Sequence, residues 1–129
     1  MNDIEFARHL AAGAGKILKD LRNEGALDGK ALGAEGDLRA NAWLMPEVAR
    51  HRPDDGVLSE ETKDTDVRLG KSRVWIIDPL DGTREYGEGR DDWAVHVGLA
   101  VDGRATVGAV ALPRWETIGE RLKSPRSRA

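Results

Sequence analysis

The chain has 129 residues, of which 40% are hydrophobic, and a formal net charge of −3. This length is enough for one globular domain with its own core, and the acidic balance argues against nucleic-acid binding through bulk charge. The absence of cysteine excludes disulfides, thiolate zinc sites and a cysteine nucleophile. Charged residues interrupt the first twenty positions, so we expect neither a secretory signal nor a membrane-spanning segment and predict a cytoplasmic protein.

The start of the chain predicts a helix. Asn2 and Glu5 have the spacing of a capping box, in which each side chain bonds the backbone amide of the other residue. Apolar residues then recur at helical spacing as far as about Arg22. We therefore expect the first helix to end there, with Gly25 just beyond it.

A glycine-rich stretch separates this helix from a second one. Four glycines occur within residues 24–36, which predicts a loop. The second helix is expected to start near Asp37, where a polar residue is followed by an apolar periodicity. Pro46 lies inside that helix and removes a hydrogen bond, so we expect a kink or two short helices.

Four apolar segments in the second half predict strands. They are residues 57–59, 74–77, 93–101 and 105–111. Asp102 and Gly103, between the last two segments, favour a tight hairpin. Helices followed by strands predict an α+β fold in which helices cover one face of a largely antiparallel sheet.

The end of the chain differs from the rest in charge. Residues 114–129 contain five basic and two acidic groups, whereas the remainder of the chain is acidic. A short segment rich in Arg, Ser and Pro is typical of disorder, although it can also bind a partner. We therefore expect one domain over residues 1–113 and a disordered basic tail over residues 114–129.

Two carboxylates follow the second strand at a spacing of three. They are Asp78 and Asp81, in the sequence Asp-Pro-Leu-Asp-Gly-Thr. Pro79 cannot extend a sheet, so the strand is expected to stop where the acids begin. Gly82 and Thr83 predict a helix N-terminus, whose free N–H groups favour a phosphate oxygen. Carboxylates on such a rigid turn favour a divalent metal.

A second pair of acids follows the first strand. Glu60 and Glu61 come directly after residues 57–59. If the first two strands are neighbours, the two sets of carboxylates converge and repel one another unless a cation binds. Oxygen ligands without cysteine favour Mg²⁺ or Mn²⁺. The alternative is that these acids are solvated loop residues.

The motif at residues 78–83, together with Ser59-Glu60-Glu61, resembles the inositol monophosphatase superfamily of metal-dependent, lithium-sensitive phosphatases. Five fixed motif positions would match by accident on the order of once in tens of thousands of chains this size. The resemblance covers nearly all of residues 1–113. It implies the N-terminal half of the inositol monophosphatase-like (sugar phosphatase) fold and hydrolysis of a phosphomonoester by a metal-activated water.

The resemblance also implies a set of metal ligands. Glu60 and Asp78 would bind the first metal together with the backbone carbonyl of Leu80. Asp78 would bridge to a second metal, which Asp81 would also bind. Glu61 is a candidate supporting residue beside these ligands.

The substrate and the attacking water are assigned in the same way. The resemblance implies that Gly82 and Thr83 offer N–H groups to the substrate phosphate. The Thr83 hydroxyl and Asp37 would orient and deprotonate the attacking water. An alternative for Asp37 is a helix N-cap without a catalytic role.

The residues after the motif help to choose a branch of the superfamily. Residues 81–86, Asp-Gly-Thr-Arg-Glu-Tyr, resemble the CysQ branch, whose implied substrate is 3′-phosphoadenosine 5′-phosphate. Inositol monophosphate and fructose 1,6-bisphosphate remain alternative substrates. His96 is interpreted as a bonded sheet histidine rather than a general base, and Trp75 and Trp93 as core residues.

The chain departs from the superfamily after Pro113. A second half, with a Trp-Asp motif that completes the second metal site, has no counterpart here. We therefore expect a truncation or a reading-frame shift near Pro113, and weak or absent turnover by the chain alone. The alternative is a catalytically inactive metal- or phosphate-binding module that pairs with another chain. The sheet edge and core surface that a missing half would cover also allow self-association. Either way the expected partner is a small phosphorylated molecule, not nucleic acid or a membrane.

Overall fold

The computed structural model describes residues 1–60, 70–113 and 118–121. Within these residues, two long helices are followed by a five-stranded sheet that is interrupted by one short helix. The elements are α1 (Asp3–Glu24), α2 (Gly29–His51), β1 (Gly56–Ser59), β2 (Arg73–Asp81), α3 (Thr83–Gly87), β3 (Ala94–Val101), β4 (Arg104–Ala111) and β5 (Ile118–Arg121). This order confirms the predicted α+β class.

Helix α1 begins and ends as its sequence predicts. The Asn2 side chain accepts a hydrogen bond from the Glu5 backbone N–H at 2.8 Å, which is one half of the predicted capping box. Gly25 adopts the left-handed conformation, with φ of 71°, just after the last turn. The helix buries one apolar face against the sheet, formed by Phe6, Ala7, Leu10, Ala11, Ala14, Leu18 and Leu21.

Helix α2 corrects the prediction of a loop over residues 24–36 and of a helix start near Asp37. It begins at Gly29 and takes in most of the glycine-rich stretch. A Cβ atom at Gly33 would lie 2.7 Å from Cγ2 of Thr83, and one at Gly36 would lie 2.9 Å from the Tyr86 ring. These glycines allow α3 to pack directly on α2, and this packing offsets their low helix propensity.

Pro46 does not divide α2. The helix runs without interruption from Gly29 to His51, so the expectation of two short helices is wrong. Leu44 and Val48, on either side of the proline, are buried in the core. Their burial supports the helix where one backbone hydrogen bond is lost.

The sheet has the order β1-β2-β3-β4-β5, with β1 and β2 parallel and the other neighbours antiparallel. Trp75 and Ile77 of β2 are buried beneath the helices, whereas Ile76 between them is 48% exposed on the opposite face. Trp93, just before β3, is also buried. The predictions of core tryptophans and of helices on one face of a largely antiparallel sheet are therefore confirmed.

Strand β2 extends further than its sequence predicts. It continues through Pro79 to Asp81, whereas the strand was expected to stop where the acids begin. Asp78 faces His96 and Asp81 faces Ala94, so three steps along β2 match two steps along β3. The proline is accommodated at this bulge because the regular ladder of hydrogen bonds is already broken there.

The hairpin and the last strand lie at the far edge of the sheet. Asp102 and Gly103 both have positive φ, at 51° and 79°, as a tight hairpin turn requires. Strand β5 pairs with β4, and an Arg8 guanidinium donates a hydrogen bond to the Gly119 carbonyl at 2.8 Å. The expectation of disorder is therefore wrong for residues 118–121, and the rest of the tail lies outside the described residues.

No helix in the described part of the chain combines the length and the apolar character needed to cross a membrane. The two long helices carry charged residues along their solvent-facing sides. Their apolar faces are instead covered by each other and by the sheet.

Candidate active site

The Asp-Pro-Leu-Asp-Gly-Thr motif forms the end of β2 and the turn into α3. Oδ1 of Asp78 accepts a hydrogen bond from the Leu80 backbone N–H at 3.2 Å, which fixes the carboxylate at the turn. Gly82 has φ of 87°, and a Cβ atom there would lie 2.8 Å from the Asp92 carbonyl oxygen. Only glycine fits this position, because both the dihedral angle and the close backbone approach exclude a side chain. The motif is thus a rigid turn, as predicted.

Asp37 reaches this turn from α2. The Thr83 hydroxyl lies 3.3 Å from Oδ2 of Asp37 and 3.2 Å from the Leu80 carbonyl oxygen, and it has one proton to donate to either acceptor. Asp37 lies well inside α2, so its interpretation as an N-cap is wrong. The absence of a side chain at Gly33, one turn earlier, leaves room for Thr83.

Glu60 arrives from the neighbouring strand. Ser59 is paired with Ile77 in the parallel ladder, and the Glu60 N–H donates to the Ile77 carbonyl at 3.3 Å. Glu60 therefore follows β1 beside Asp78. The Ser59 hydroxyl donates to Oδ1 of Asn41 at 2.7 Å, which ties the end of β1 to α2 one turn beyond Asp37. Glu61 lies outside the described residues.

The electrostatics of Asp78 show that the acids converge. Burial is the main cause that raises the pKa of Asp78 above its ordinary value, and the negative charge of Glu60 is the next. Asp81 also raises this pKa, while the Leu80 N–H and His96 oppose the shift. Carboxylates gathered in this way favour a bound cation, and an all-oxygen donor set fits Mg²⁺ or Mn²⁺. The residues present therefore fit the predicted metal.

His96 joins the site from β3. It faces Asp78 across the antiparallel ladder, and its Nε2 atom lies 3.1 Å from Oδ2 of Asp81. The side chain is bonded, as predicted, but its partner is a predicted metal ligand and it lies on the exposed face of the sheet. The register of β2 against β3 is the signal that would have revealed this contact.

A cleft of about 570 Å³ opens between α2 and α3. Asp37 and Thr83 line it, and Lys30 and Arg84 bring positive charge to the same walls. A smaller cavity of about 190 Å³ lies on the other side of the turn, beside Asp81 and Gly82. The motif is therefore accessible from both sides.

Comparison with known proteins shows which family the chain resembles. The model of the inositol monophosphatase family matches residues 2–127, beyond the boundary expected at Pro113. The 3′-phosphoadenosine 5′-phosphate phosphatase of Mycobacterium leprae is 48% identical over 124 residues, covering 88% of this chain and 46% of that protein. The 3′(2′),5′-bisphosphate nucleotidase CysQ of Salmonella typhimurium is 33% identical over 78 residues, covering 60% of this chain and 32% of that protein.

The fold also has relatives among solved structures. Inositol monophosphatase II of Staphylococcus aureus superimposes with a TM-score of 0.83 at 24% identity, covering 95% of this chain and 46% of that one. The chain spans about half the length of the curated relatives with which it shares 48% and 49% identity. Because the family model matches residues 2–127, the chain belongs to the inositol monophosphatase family.

Proposed function

We propose that the chain carries the cation- and phosphate-binding part of a Mg²⁺-dependent phosphomonoesterase. The observation that supports this proposal is the meeting of Glu60, Asp78 and Asp81 beside the bonded pair of Asp37 and Thr83. Oxygen ligands of this kind suit Mg²⁺, with Mn²⁺ as the alternative. Inhibition by lithium and a cytoplasmic location remain predictions from the sequence.

Each acid has its own part in this proposal. Glu60, Asp78 and the Leu80 carbonyl would hold one cation, and Asp78 and Asp81 would hold a second. Cations bound there would lower the pKa of water and neutralise charge on the substrate phosphate. Glu61 is retained as a supporting residue on the strength of the sequence alone.

Asp37 and Thr83 would act on the attacking water. When the Thr83 hydroxyl donates its proton to Asp37, the lone pairs of Oγ1 can accept a hydrogen bond from water. Asp37 then becomes the acceptor of the water proton through the threonine hydroxyl. The backbone N–H groups of Gly82 and Thr83 would hold the substrate phosphate for attack.

We further propose 3′-phosphoadenosine 5′-phosphate as the substrate. Support comes from relatives that bear this activity in their names and share 48% and 49% identity with the chain. Lys30 and Arg84 line the cleft that holds Asp37 and Thr83, so they offer positive charge to a second phosphate. Arg84 pairs with Glu88 at 3.1 Å but is 84% exposed, and such a pair is weak enough to exchange for a ligand. A substrate with two phosphates therefore suits this cleft better than inositol monophosphate.

Calorimetry with matched variants tests this function. We expect saturable Mg²⁺ binding that is lost in Asp78→Asn and retained in Asp54→Asn, an exposed acid in the turn before β1. With Mg²⁺ present, 3′-phosphoadenosine 5′-phosphate should bind more tightly than adenosine 5′-monophosphate. Lys30→Ala should reduce this difference. A chain that binds no Mg²⁺ would overturn the proposal. So would a preference for 3′-phosphoadenosine 5′-phosphate over adenosine 5′-monophosphate that neither Asp78→Asn nor Lys30→Ala changes.

Phosphate release is measured on the same samples. We expect at most slow release, because the chain spans about half the length of its relatives, and any release should require Mg²⁺ and disappear in Asp37→Asn. Binding of Mg²⁺ and nucleotide without release would favour the alternative of a non-catalytic binding module. Fast, lithium-sensitive release would contradict the expectation that the chain alone is weakly active.

A further inference from the structure

We propose that His9, Glu47 and His51 form a second metal site, specific for a transition metal such as Zn²⁺ and separate from the carboxylate cluster. His9 lies on α1, while Glu47 and His51 lie on α2. One ligand atom from each residue lies within 4.8 Å of the others. Nε2 of His9 is 2.7 Å and Nε2 of His51 is 3.6 Å from the same oxygen, Oε2 of Glu47.

The helices hold the three side chains in place. Glu47 and His51 are four residues apart, so they share one face of α2, and that face packs against α1. The His9 ring is stacked on Phe6 and lies 5.4 Å from the Trp43 ring, between centroids. The centroid of the Phe6 ring also lies 5.4 Å from that of the His51 ring. These aromatic contacts restrict the imidazoles and preorganise the cluster.

Burial distinguishes Glu47 from most acids among the described residues, although the Asp55 side chain is as well covered. The exposed fraction of the whole Glu47 residue is only 9%, and Ser59 is the other polar residue among the described ones that is buried to this degree. A buried carboxylate is retained only with partners of opposite charge, with hydrogen bonds or with a metal. Oε1 is occupied by the Arg50 guanidinium at 2.5 Å, which leaves Oε2 directed at the two histidines.

The donor set determines the class of metal. Two imidazoles and one carboxylate suit Zn²⁺, Cu²⁺ or Ni²⁺, whereas Mg²⁺ prefers oxygen ligands alone. In a tetrahedral zinc site the ligand atoms lie about 3.3 Å apart, so the contact between His9 and Glu47 would lengthen and the histidines would move closer. The two imidazole side chains are 38% and 31% exposed, which gives an ion and a fourth, water ligand access from solvent.

The positive charge of Arg50 opposes a cation. Its side chain is 68% exposed and can therefore turn into solvent when a metal binds. Without a metal, the same residues form a network of hydrogen bonds and ion pairs that links α1 to α2. A metal site and a metal-free network of hydrogen bonds and ion pairs differ in one measurable property, which is the affinity of the chain for Zn²⁺.

The experiment uses the Asp78→Asn chain in excess Mg²⁺, so that the carboxylate cluster does not compete for zinc. Zn²⁺ binding is measured by competition with a chromophoric chelator, and we expect one ion per chain. His51→Gln and His9→Gln should each weaken binding by at least about tenfold. His96→Gln removes the remaining histidine of the three in the chain and should leave this affinity unchanged. Arg50→Gln in the Asp78→Asn chain should leave the affinity for Zn²⁺ unchanged or raise it.

Spectroscopy of the parent chain provides a second test that does not depend on whether the variants fold. Co²⁺ should give the intense visible bands of a tetrahedral site, and Cu²⁺ should quench tryptophan fluorescence because Trp43 lies beside His9. An absence of zinc binding and of tetrahedral cobalt bands would overturn the proposal. Zinc binding that survives both His9→Gln and His51→Gln would also overturn it. Neither result bears on the proposed phosphatase function, which calorimetry with Mg²⁺ tests separately.

Discussion

At the scale of single residues, Asp78 is held in surroundings that oppose its charge. Burial and the neighbouring charge of Glu60 raise the pKa of this carboxyl, so folding favours its protonated form. Its contribution to stability is therefore complete below the ordinary pKa of 3.8 and is lost as pH rises through the raised value. At neutral pH the cation-free chain retains an uncompensated repulsion that a bound metal would relieve.

Asp78→Asn should therefore have opposite effects with and without Mg²⁺. Without the ion, we expect the variant to unfold at a higher temperature than the unaltered chain because the repulsion is removed. With Mg²⁺ at about 100 times its Kd, the free energy of unfolding of the unaltered chain should rise by about 2.7 kcal/mol, whereas that of the variant should not change. Thermal unfolding followed by circular dichroism checks both effects. A variant that Mg²⁺ still stabilises would remove Asp78 from the metal site.

Tyr86 fastens α3 to α1 through a single buried hydroxyl. The side chain is fully buried, and its hydroxyl donates to the Leu18 carbonyl at 2.5 Å. Burial raises the pKa of Tyr86 to about 12, whereas the ordinary value is 10.0. The protonated phenol is favoured on folding, so its contribution is complete below pH 10 and is lost as pH rises towards about 12.

Tyr86→Phe should lower the free energy of unfolding by about 1 kcal/mol near neutral pH, because one buried hydrogen bond is lost. This cost should shrink above about pH 10, where the unfolded phenol begins to ionise. Urea unfolding at a neutral and an alkaline pH measures the difference. Tyr86 is the only tyrosine in the chain, so tyrosinate absorbance reports its pKa directly. An ordinary titration near pH 10 in the folded chain would contradict the burial argument.

At the scale of elements, α2 shows what one sequence can and cannot predict. The apolar periodicity predicted a helix, but the glycines made its first two turns resemble a loop. Glycine occupies these positions because of a tertiary contact. Gly33 and Gly36 face α3, which follows them by about fifty positions in the chain. A local pattern carries no sign of that contact. The bulge at Pro79 was missed in the same way, since it depends on the register against β3.

Gly33→Ala distinguishes the effect of helix propensity on α2 from the effect of packing between α2 and α3. Propensity alone would stabilise α2 by about 1 kcal/mol, whereas the new Cβ atom would lie 2.7 Å from Cγ2 of Thr83. We expect packing to dominate, so that the variant is destabilised and the bond between Thr83 and Asp37 is disturbed. Thermal unfolding and Mg²⁺-dependent nucleotide binding should both weaken.

Ala31→Gly provides the matched control for this substitution, because Ala31 is exposed on the same helix. It should lower stability by about 1 kcal/mol through propensity alone and leave nucleotide binding unchanged. If Gly33→Ala instead raised the unfolding temperature, the close packing of α3 on α2 would be refuted.

At the scale of the whole molecule, the candidate site is assembled from elements that are distant in the chain. The motif predicted Asp78 and Asp81 as neighbours, the acids after the first strand added Glu60, and the resemblance added Asp37. Their convergence required the parallel pairing of β1 with β2 and the packing of α2 on α3. The sequence therefore named the candidate residues, whose roles stay predictions, whereas the contacts of Asn41 and His96 depended on the three-dimensional arrangement.

In the described part of the chain, no helix covers the face of the sheet opposite α1 and α2, where the Ile76 side chain is exposed. A groove of about 440 Å³ crosses β2, β3 and β4 there. Its lining residues are Ile76, His96, Val97, Gly98, Gly108, Ala109, Val110 and Glu120. Apolar surface of this kind marks a site of association, and a second copy of the chain presents the same face. We therefore predict a homodimer formed through this groove.

Ile76→Lys should abolish this association, because it places a charge at the centre of the open face, where Ile76 is 48% exposed. Light scattering at increasing protein concentration should show a dimer for the unaltered chain and a monomer for the variant. Leu38→Lys is the matched control, since Leu38 is 63% exposed on α2, away from the sheet, and its change should leave the dimer intact. A monomer at every concentration of the unaltered chain would rule out self-association. Equal loss of the dimer in both variants would place the interface elsewhere.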